Sequence, residues 1–225
     1  MKRNRVDYSG FSLRRLNDPR FSHALLLIGW IVYFALYFIT ENLIPAESCH
    51  VIHSRLDDLI PFREGFVLVY MAWYAFVFGS LAFTFFYDVE SFRKMQTFIM
   101  ITQGIAMLIY VLYPSRQDLR PEFFEHDNLL TAAVGFLYAF DTPTGVFPSL
   151  HVAYSIGIFS VFSKDRLCPW WAKALIGFFV FLVCLSVCYI KQHSVLDVCA
   201  AIPVCLIAEI VLYGKDYLGK WRRKI

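Results

Sequence analysis

The sequence predicts an all-α integral membrane protein, a bundle of six membrane-spanning helices, and three observations carry that prediction. The apolar residues gather into six runs, roughly 22–43, 64–87, 92–113, 148–164, 171–190 and 194–213, each near the ~20 residues that cross a hydrocarbon core. Of the 225 residues, 58% are hydrophobic and only 17% charged, with a mean hydropathy of +0.54; a water-soluble domain of this length carries more charge. In lipid, every backbone polar group must be paired internally, which forces such runs into helices. Finally, the basic residues favour alternate connecting segments. All but five of the 21 lysines and arginines fall on the side that holds Met1, the exceptions being Arg55, Arg63, Arg116, Arg120 and Lys191. The positive-inside rule then puts both termini in the cytoplasm.

Taken in order, residues 1–21 form a basic cytoplasmic arm, expected to be a solvated tail beside the anionic inner leaflet with no specific partner. Residues 22–213 form the membrane domain and 214–225 a basic cytoplasmic tail. The first run is too long for a secretory signal and has no small-residue cleavage site. The outer segment 44–63 carries His50, His53, Asp57 and Asp58. His50-x-x-His53 has the composition of half a metal site, but a loop does not hold its geometry. The aspartates are read as caps of the next helix or partners of an arginine.

Spans 2 and 3 join through a tight inner hairpin from Asp88 to Lys94, and their aromatic residues (Tyr70, Trp73, Tyr74, Phe85, Phe86) are read as interface and core packing. Segment 114–147 is expected to be a long outer loop, a kind that is commonly functional. The fourth run is short, so its start is expected below the membrane surface. Pro203 should bend span 6 slightly, and Glu209 near its inner end should snorkel or pair. The six cysteines form no disulfide framework, because Cys184, Cys188, Cys199 and Cys205 lie in apolar runs.

Chemistry concentrates at two helix starts. In Phe147-Pro148-Ser149-Leu150-His151 a polar segment turns into an apolar run. Proline suits the first turn of a helix, and the backbone N–H groups there lack intrahelical partners and attract anions, phosphate above all. At the start of span 6, His193 and Asp197 are four residues apart, so the carboxylate lies beside the imidazole. Such a pair holds one ring nitrogen as N–H and leaves the other as nucleophile or base; alone, it reads equally as a structural histidine at a helix start. Charge counting, made without reference to these residues, places Arg120, Ser149, His151, His193 and Asp197 at one outer face. Two histidines, an aspartate, an arginine and a helix start at one depth suit phosphoryl transfer.

Arg120-Pro121, Pro148-Ser149-x-His151 and His193-x3-Asp197, in that order and before spans 4 and 6, resemble the three motifs of the type-two phosphatidic acid phosphatase superfamily, which also includes acid phosphatases and vanadium haloperoxidases. The similarity covers roughly residues 22–213. It implies a six-helix membrane core of that type. It implies that His193 attacks phosphorus to give a phosphohistidine, with Asp197 orienting it and His151 acting as acid and then base. Arg120, Ser149 and the span-4 amides, that of Leu150 included, would hold the phosphoryl oxygens. No metal, cofactor or nucleic acid is implied, and the partners are a lipid phosphate and the bilayer.

The chain departs from the motifs at three positions: Tyr113 where the family has lysine, Leu150 where it usually has glycine, and Val187 where it has arginine. Arg116 and Lys191 lie near enough in sequence to stand in for the two absent cations. The pattern Phe-Pro-Ser-Leu-His without the third-motif arginine is similar to the sphingolipid headgroup transferases, the inositol phosphorylceramide and sphingomyelin synthases. The sequence therefore leads to a lipid phosphatase, with a lipid phosphotransferase or headgroup transferase as the alternative. A transporter or scaffold is disfavoured, because the charged residues gather at one surface and not at the midplane.

Overall fold

A computed structural model describes residues 5–222. These form α1 (Ile28–Leu43), α2 (Arg55–Leu59), α3 (Val67–Tyr87), α4 (Val89–Leu112), α5 (Leu129–Phe140), α6 (Leu150–Lys164), α7 (Trp170–Tyr189) and α8 (Val195–Arg222), with two short strands, β1 (His50–Val51) and β2 (Ser115–Arg116). Five helical segments are long and apolar enough to cross a membrane: Ser22–Leu43, Glu64–Tyr87, Val89–Leu112, Trp170–Tyr189 and Val195–Tyr217. Their outer faces expose large apolar side chains such as Phe78, Phe181 and Ile210, which a lipid surround accommodates and water does not. The fold is that of a multi-pass helical membrane protein.

The short helix α6 is the hub. Ten of its 15 residues are buried, and it packs against α3, α4, α7 and α8. Its closest neighbour is α4: a Cβ on Gly157 would stand 2.5 Å from the Phe98 ring, so only glycine permits this approach. At the edge of the bundle, α1 has no buried residue and packs on α4. The α3–α4 link is a single residue, Asp88, whose carboxylate caps α4 by accepting from Ser91 N at 3.1 Å. Between α7 and α8 the chain reverses through Lys191, which adopts the left-handed conformation with φ of 56°.

Over the histidine end of the bundle, β1 pairs with β2 in parallel. Gly145, also left-handed at φ 60°, donates its N–H to Ser115 O at 2.8 Å. The strand pairing fastens segment 44–63 to segment 114–147, and the Gly145 bond ties the latter back on itself. Within the latter lies α5, which the sequence reading had as loop. Asn128 starts it, accepting from Leu130 N and Thr131 N, while the Thr131 hydroxyl accepts from Asn128 N.

At the other end, the arm expected to be a solvated tail is packed over its described part. Tyr8 OH donates to Phe85 O at 2.8 Å and meets His23 Nε2 at 2.7 Å. Its ring stacks on Phe85 with centroids 5.4 Å apart, and Val6 N donates to Phe86 O. The physical reason is that Tyr8 finds an aromatic surface at the last turn of α3, with Phe11 and Phe21 packed around it. The segment expected to be a C-terminal tail continues α8 as helix to Arg222. Glu209 pairs, as expected, with Lys164 at 2.6 Å, and Lys94 lies over the Tyr213 ring. The N-terminal arm and the second half of α8 therefore share one end of the bundle, opposite the histidines.

Candidate active site

The starts of α6 and α8 are joined by main-chain atoms: Ser149 N donates to Asp197 O at 3.1 Å. That bond sets His151, in the first turn of α6, beside His193, just ahead of α8. His193 Nδ1 lies 3.1 Å from Asp197 Oδ2, and His193 Nε2 lies 3.3 Å from His151 Nδ1. With the carboxylate as acceptor, His193 carries its proton on Nδ1 and presents a lone pair on Nε2 to His151 Nδ1–H. His151 is braced by aromatic rings, with Trp73 at 4.2 Å and Tyr70 at 4.7 Å between centroids. The Trp73 indole N–H donates to His151 O and Ser155 Oγ, both at 3.1 Å.

The first turn of α8 is held from outside as well. Asp57, 2% exposed, accepts from Ser194 Oγ at 2.6 Å and from Val195 N at 2.8 Å. It also closes the capping box of α2 by accepting from Ser54 N. Asp57 therefore caps α2 and the start of α8, which His193 immediately precedes, and not the span-2 helix the sequence reading gave it. Asp197 Oδ2 accepts from Ser194 N as well, at 2.9 Å. Around the histidine pair, Ser149 Oγ and Asp197 Oδ1 are buried with no hydrogen-bond partner among the described residues. The first is the hydroxyl that the sequence reading assigned to phosphate.

Arg120 joins the cluster one residue removed. Its guanidinium donates to Tyr138 O at 3.0 Å, to Asp141 O at 2.6 Å and to Gln192 Oε1 at 2.6 Å, and it lies over the Tyr138 ring. Burial pulls the Arg120 pKa below its ordinary value, while the Asp141 carboxylate opposes that shift; the group remains a cation. Gln192 precedes His193 in the chain, and its amide reaches Asp141 Oδ2 at 3.3 Å. The same oxygen accepts from Tyr70 OH at 2.7 Å. Tyr70, Trp73, Asp141 and Gln192 were not named as site residues from the sequence. The usable signal was Gln192, a buried-type amide adjoining the motif histidine.

The two substitute cations are placed elsewhere. Lys191 Nζ donates to Asp57 O at 2.8 Å and Ile60 O at 2.5 Å. Arg116 donates to Ala46 O at 3.1 Å and to Asp118 Oδ2 at 3.2 Å. In this structure both cationic ends are engaged by the outer loop and not by the histidine pair. Left-handed backbone at Lys191 aims its side chain at α2, and strand pairing at Arg116 commits its side chain to the outer loop. Leu150 is buried and lines the same cavity as the pair. Of the three departures from the motifs, Val187 is fully buried and Tyr113 stacks on His50. His53 bonds Asp58 at 2.8 Å, so the His50–His53 pair is dispersed. Among the described residues no group of three or more His, Cys, Asp or Glu side chains gathers as for a metal ion.

The pair opens onto a cavity of about 1570 Å³. Its polar lining gathers at one end, where His151, His193, Gln192 and Asp141 lie with Thr142, Thr144, Glu41 and Asn42, and the rest is mainly aliphatic and aromatic. Neither family models, nor curated proteins, nor solved structures yield a match to this chain.

Proposed function

We propose that this chain is a membrane lipid phosphatase that cleaves a lipid phosphate ester through a phosphohistidine at the extracytoplasmic face. The observation that carries the reading is the Asp197–His193–His151 series at the polar end of a long apolar cavity. His193 Nε2 attacks phosphorus and the ester oxygen departs with a proton from His151, which enters the step as the imidazolium and leaves it as neutral imidazole. Asp197 stabilises the imidazolium as His193 gains positive charge. His151, now a base, removes a proton from water, whose oxygen displaces His193 from phosphorus and releases inorganic phosphate. Ser149 Oγ and the free amides of the first α6 turn receive the phosphoryl oxygens. Arg120 acts through Gln192.

The fold in this reading is the six-helix core of the type-two phosphatidic acid phosphatase kind, with α6 as the sixth crossing. At 15 residues and a rise of ~1.5 Å per residue, α6 spans ~22 Å, short of the ~30 Å hydrocarbon core, which sets its histidine below the surface. The basic end of the bundle, holding the N-terminal arm and the second half of α8, faces the cytoplasm.

A second reading, transfer of the phosphorylated headgroup to a lipid alcohol, is favoured by the placement of Arg116 and Lys191 away from the pair. A monoester carries nearly two charges at neutral pH because its second pKa is ~6, and a site with few matching cations better suits the single charge of a diester.

The test is to incubate the purified protein with phosphatidic acid labelled in its phosphate, quench, and look for an acid-labile, alkali-stable phosphoprotein together with released phosphate. His193→Ala is expected to lose both while remaining folded, and Asp197→Asn to lower kcat on the order of 100-fold or more. Retention of more than a few per cent of turnover in His193→Ala would rule it out as the covalent centre. A parallel incubation with a phosphodiester lipid and a lipid alcohol decides between the readings, because only a transferase makes a new phospholipid.

A further inference from the structure

The cavity at the histidine pair continues as a slot between α1 and α3, and we infer that this slot measures the hydrocarbon tails of the phosphorylated lipid, with its floor backed by the chain's own N-terminal arm. The inference rests on the lipid phosphate-ester reading above. Each wall is a single helix face: Trp30, Phe34 and Phe38 on α1, and Tyr74, Val77 and Leu81 on α3. From Trp73 at the histidine end to Phe86 at the other is 13 residues along α3, or ~20 Å. Half of a hydrocarbon core is ~15 Å, so tails that fill the slot pass the bilayer midplane. The volume of about 1570 Å³ exceeds the ~300–1,000 Å³ of ordinary small-molecule pockets. A polar mouth on an apolar slot has the polarity of a lipid, headgroup first.

The slot also has a side opening and a bottom. Ile31, Phe38 and Phe78 line it and are 70%, 69% and 80% exposed, which places its long edge against the surrounding lipid and gives tails a lateral way in. The bottom is Phe85, Phe86 and Phe92. Behind Phe85 and Phe86 stands Tyr8, stacked on the first at 5.4 Å and edge-on to the second at 5.7 Å, with Tyr8 OH and Val6 N bonded to the carbonyls of those two residues. The last turn of α3, which would otherwise fray, is held shut.

The experiment compares dioctanoyl, dimyristoyl and distearoyl phosphatidic acid at equal mole fraction in mixed micelles. With the unmodified chain, kcat/KM is expected to rise with tail length. In Ala82→Trp, which blocks the slot partway down, the distearoyl-to-dioctanoyl ratio should fall about tenfold or more, since each methylene kept out of an apolar site withdraws a several-fold contribution. A second measurement needs neither turnover nor a variant. Distearoyl phosphatidic acid bearing a diazirine at the tail end should, on irradiation, label peptides containing Phe85, Phe86 and Leu27. Equal ratios in the unmodified and Ala82→Trp chains, or label spread over the lipid-facing side of α7 and absent from the floor, would overturn the groove and leave the phosphatase reading standing. Floor labelling without turnover of any phosphate ester would do the reverse.

Discussion

Replacing Asp57 tests whether the loop between the first two membrane helices positions the candidate nucleophile. In Asp57→Ala three donors lose their acceptor together: Ser54 N at 2.7 Å, Ser194 Oγ at 2.6 Å and Val195 N at 2.8 Å. The hydroxyl can rotate to another acceptor, but the two main-chain N–H groups cannot, and a buried donor left unpaired costs ~1–3 kcal/mol. The expected destabilisation is therefore ~2–6 kcal/mol, a large share of the ~5–15 kcal/mol that holds a typical domain together. Asp57→Asn keeps the volume and one acceptor oxygen but turns an N–H toward another donor, a single mismatch of ~1–3 kcal/mol. Two of the donors belong to Ser194 and Val195, next to His193, so loosening them moves the imidazole relative to His151. A displacement of ~1 Å at reacting atoms costs about 100-fold in rate. The assay is kcat and KM on a lipid phosphate ester alongside thermal unfolding in detergent. Asp57→Asn should lower kcat about 10- to 100-fold with KM little changed and Tm reduced. Wild-type kcat and Tm in Asp57→Ala would refute the reasoning, because the loop would then hold nothing.

Two further outcomes follow from the geometry. Lys191→Gln and Arg116→Gln should lower Tm, since each cationic end ties separate segments through carbonyls, and should leave the monoester-to-diester activity ratio as it was; a ratio that shifts against monoesters in either variant would show that these side chains reach the phosphate. A membrane-impermeant thiol reagent applied to intact cells should label Asn128→Cys and spare Asp165→Cys, and the reverse pattern would overturn the orientation.

The membrane helices were legible because each depends on a property local to its own run, namely length and hydropathy. The His193–Asp197 contact is present for a reason other than the helix spacing that suggested it: His193 lies outside α8, and Asp197 in the first turn reaches back to His193 Nδ1 and Ser194 N. What escaped depends on direction in space. Lys191 and Arg116 are near the motifs in sequence, yet a left-handed turn and a strand pairing aim their side chains at the outer loop. Tyr70 and Trp73 sit in an apolar span among other aromatics, and nothing in that composition distinguishes the two that brace His151 from those that meet lipid. The helix α5 carried a readable sign in Asn128 and Thr131, reciprocally bonded at its start, but lay inside a stretch classed by its turn residues. The packed arm had only its aromatic residues to announce it, and the partners of Tyr8 on α3 are 77 and 78 residues away.

The hydrogen bond from Ser149 N to Asp197 O joins main chain to main chain, so no substitution short of proline at position 149 removes either partner. The separation of the two histidines is thereby insulated from drift in the lining of the slot. Wall and floor residues other than Trp73, which braces His151, can be rewritten for a longer tail or a bulkier head while the reacting nitrogens keep their spacing. A lineage built on this scaffold could change what it acts on without having to rediscover how.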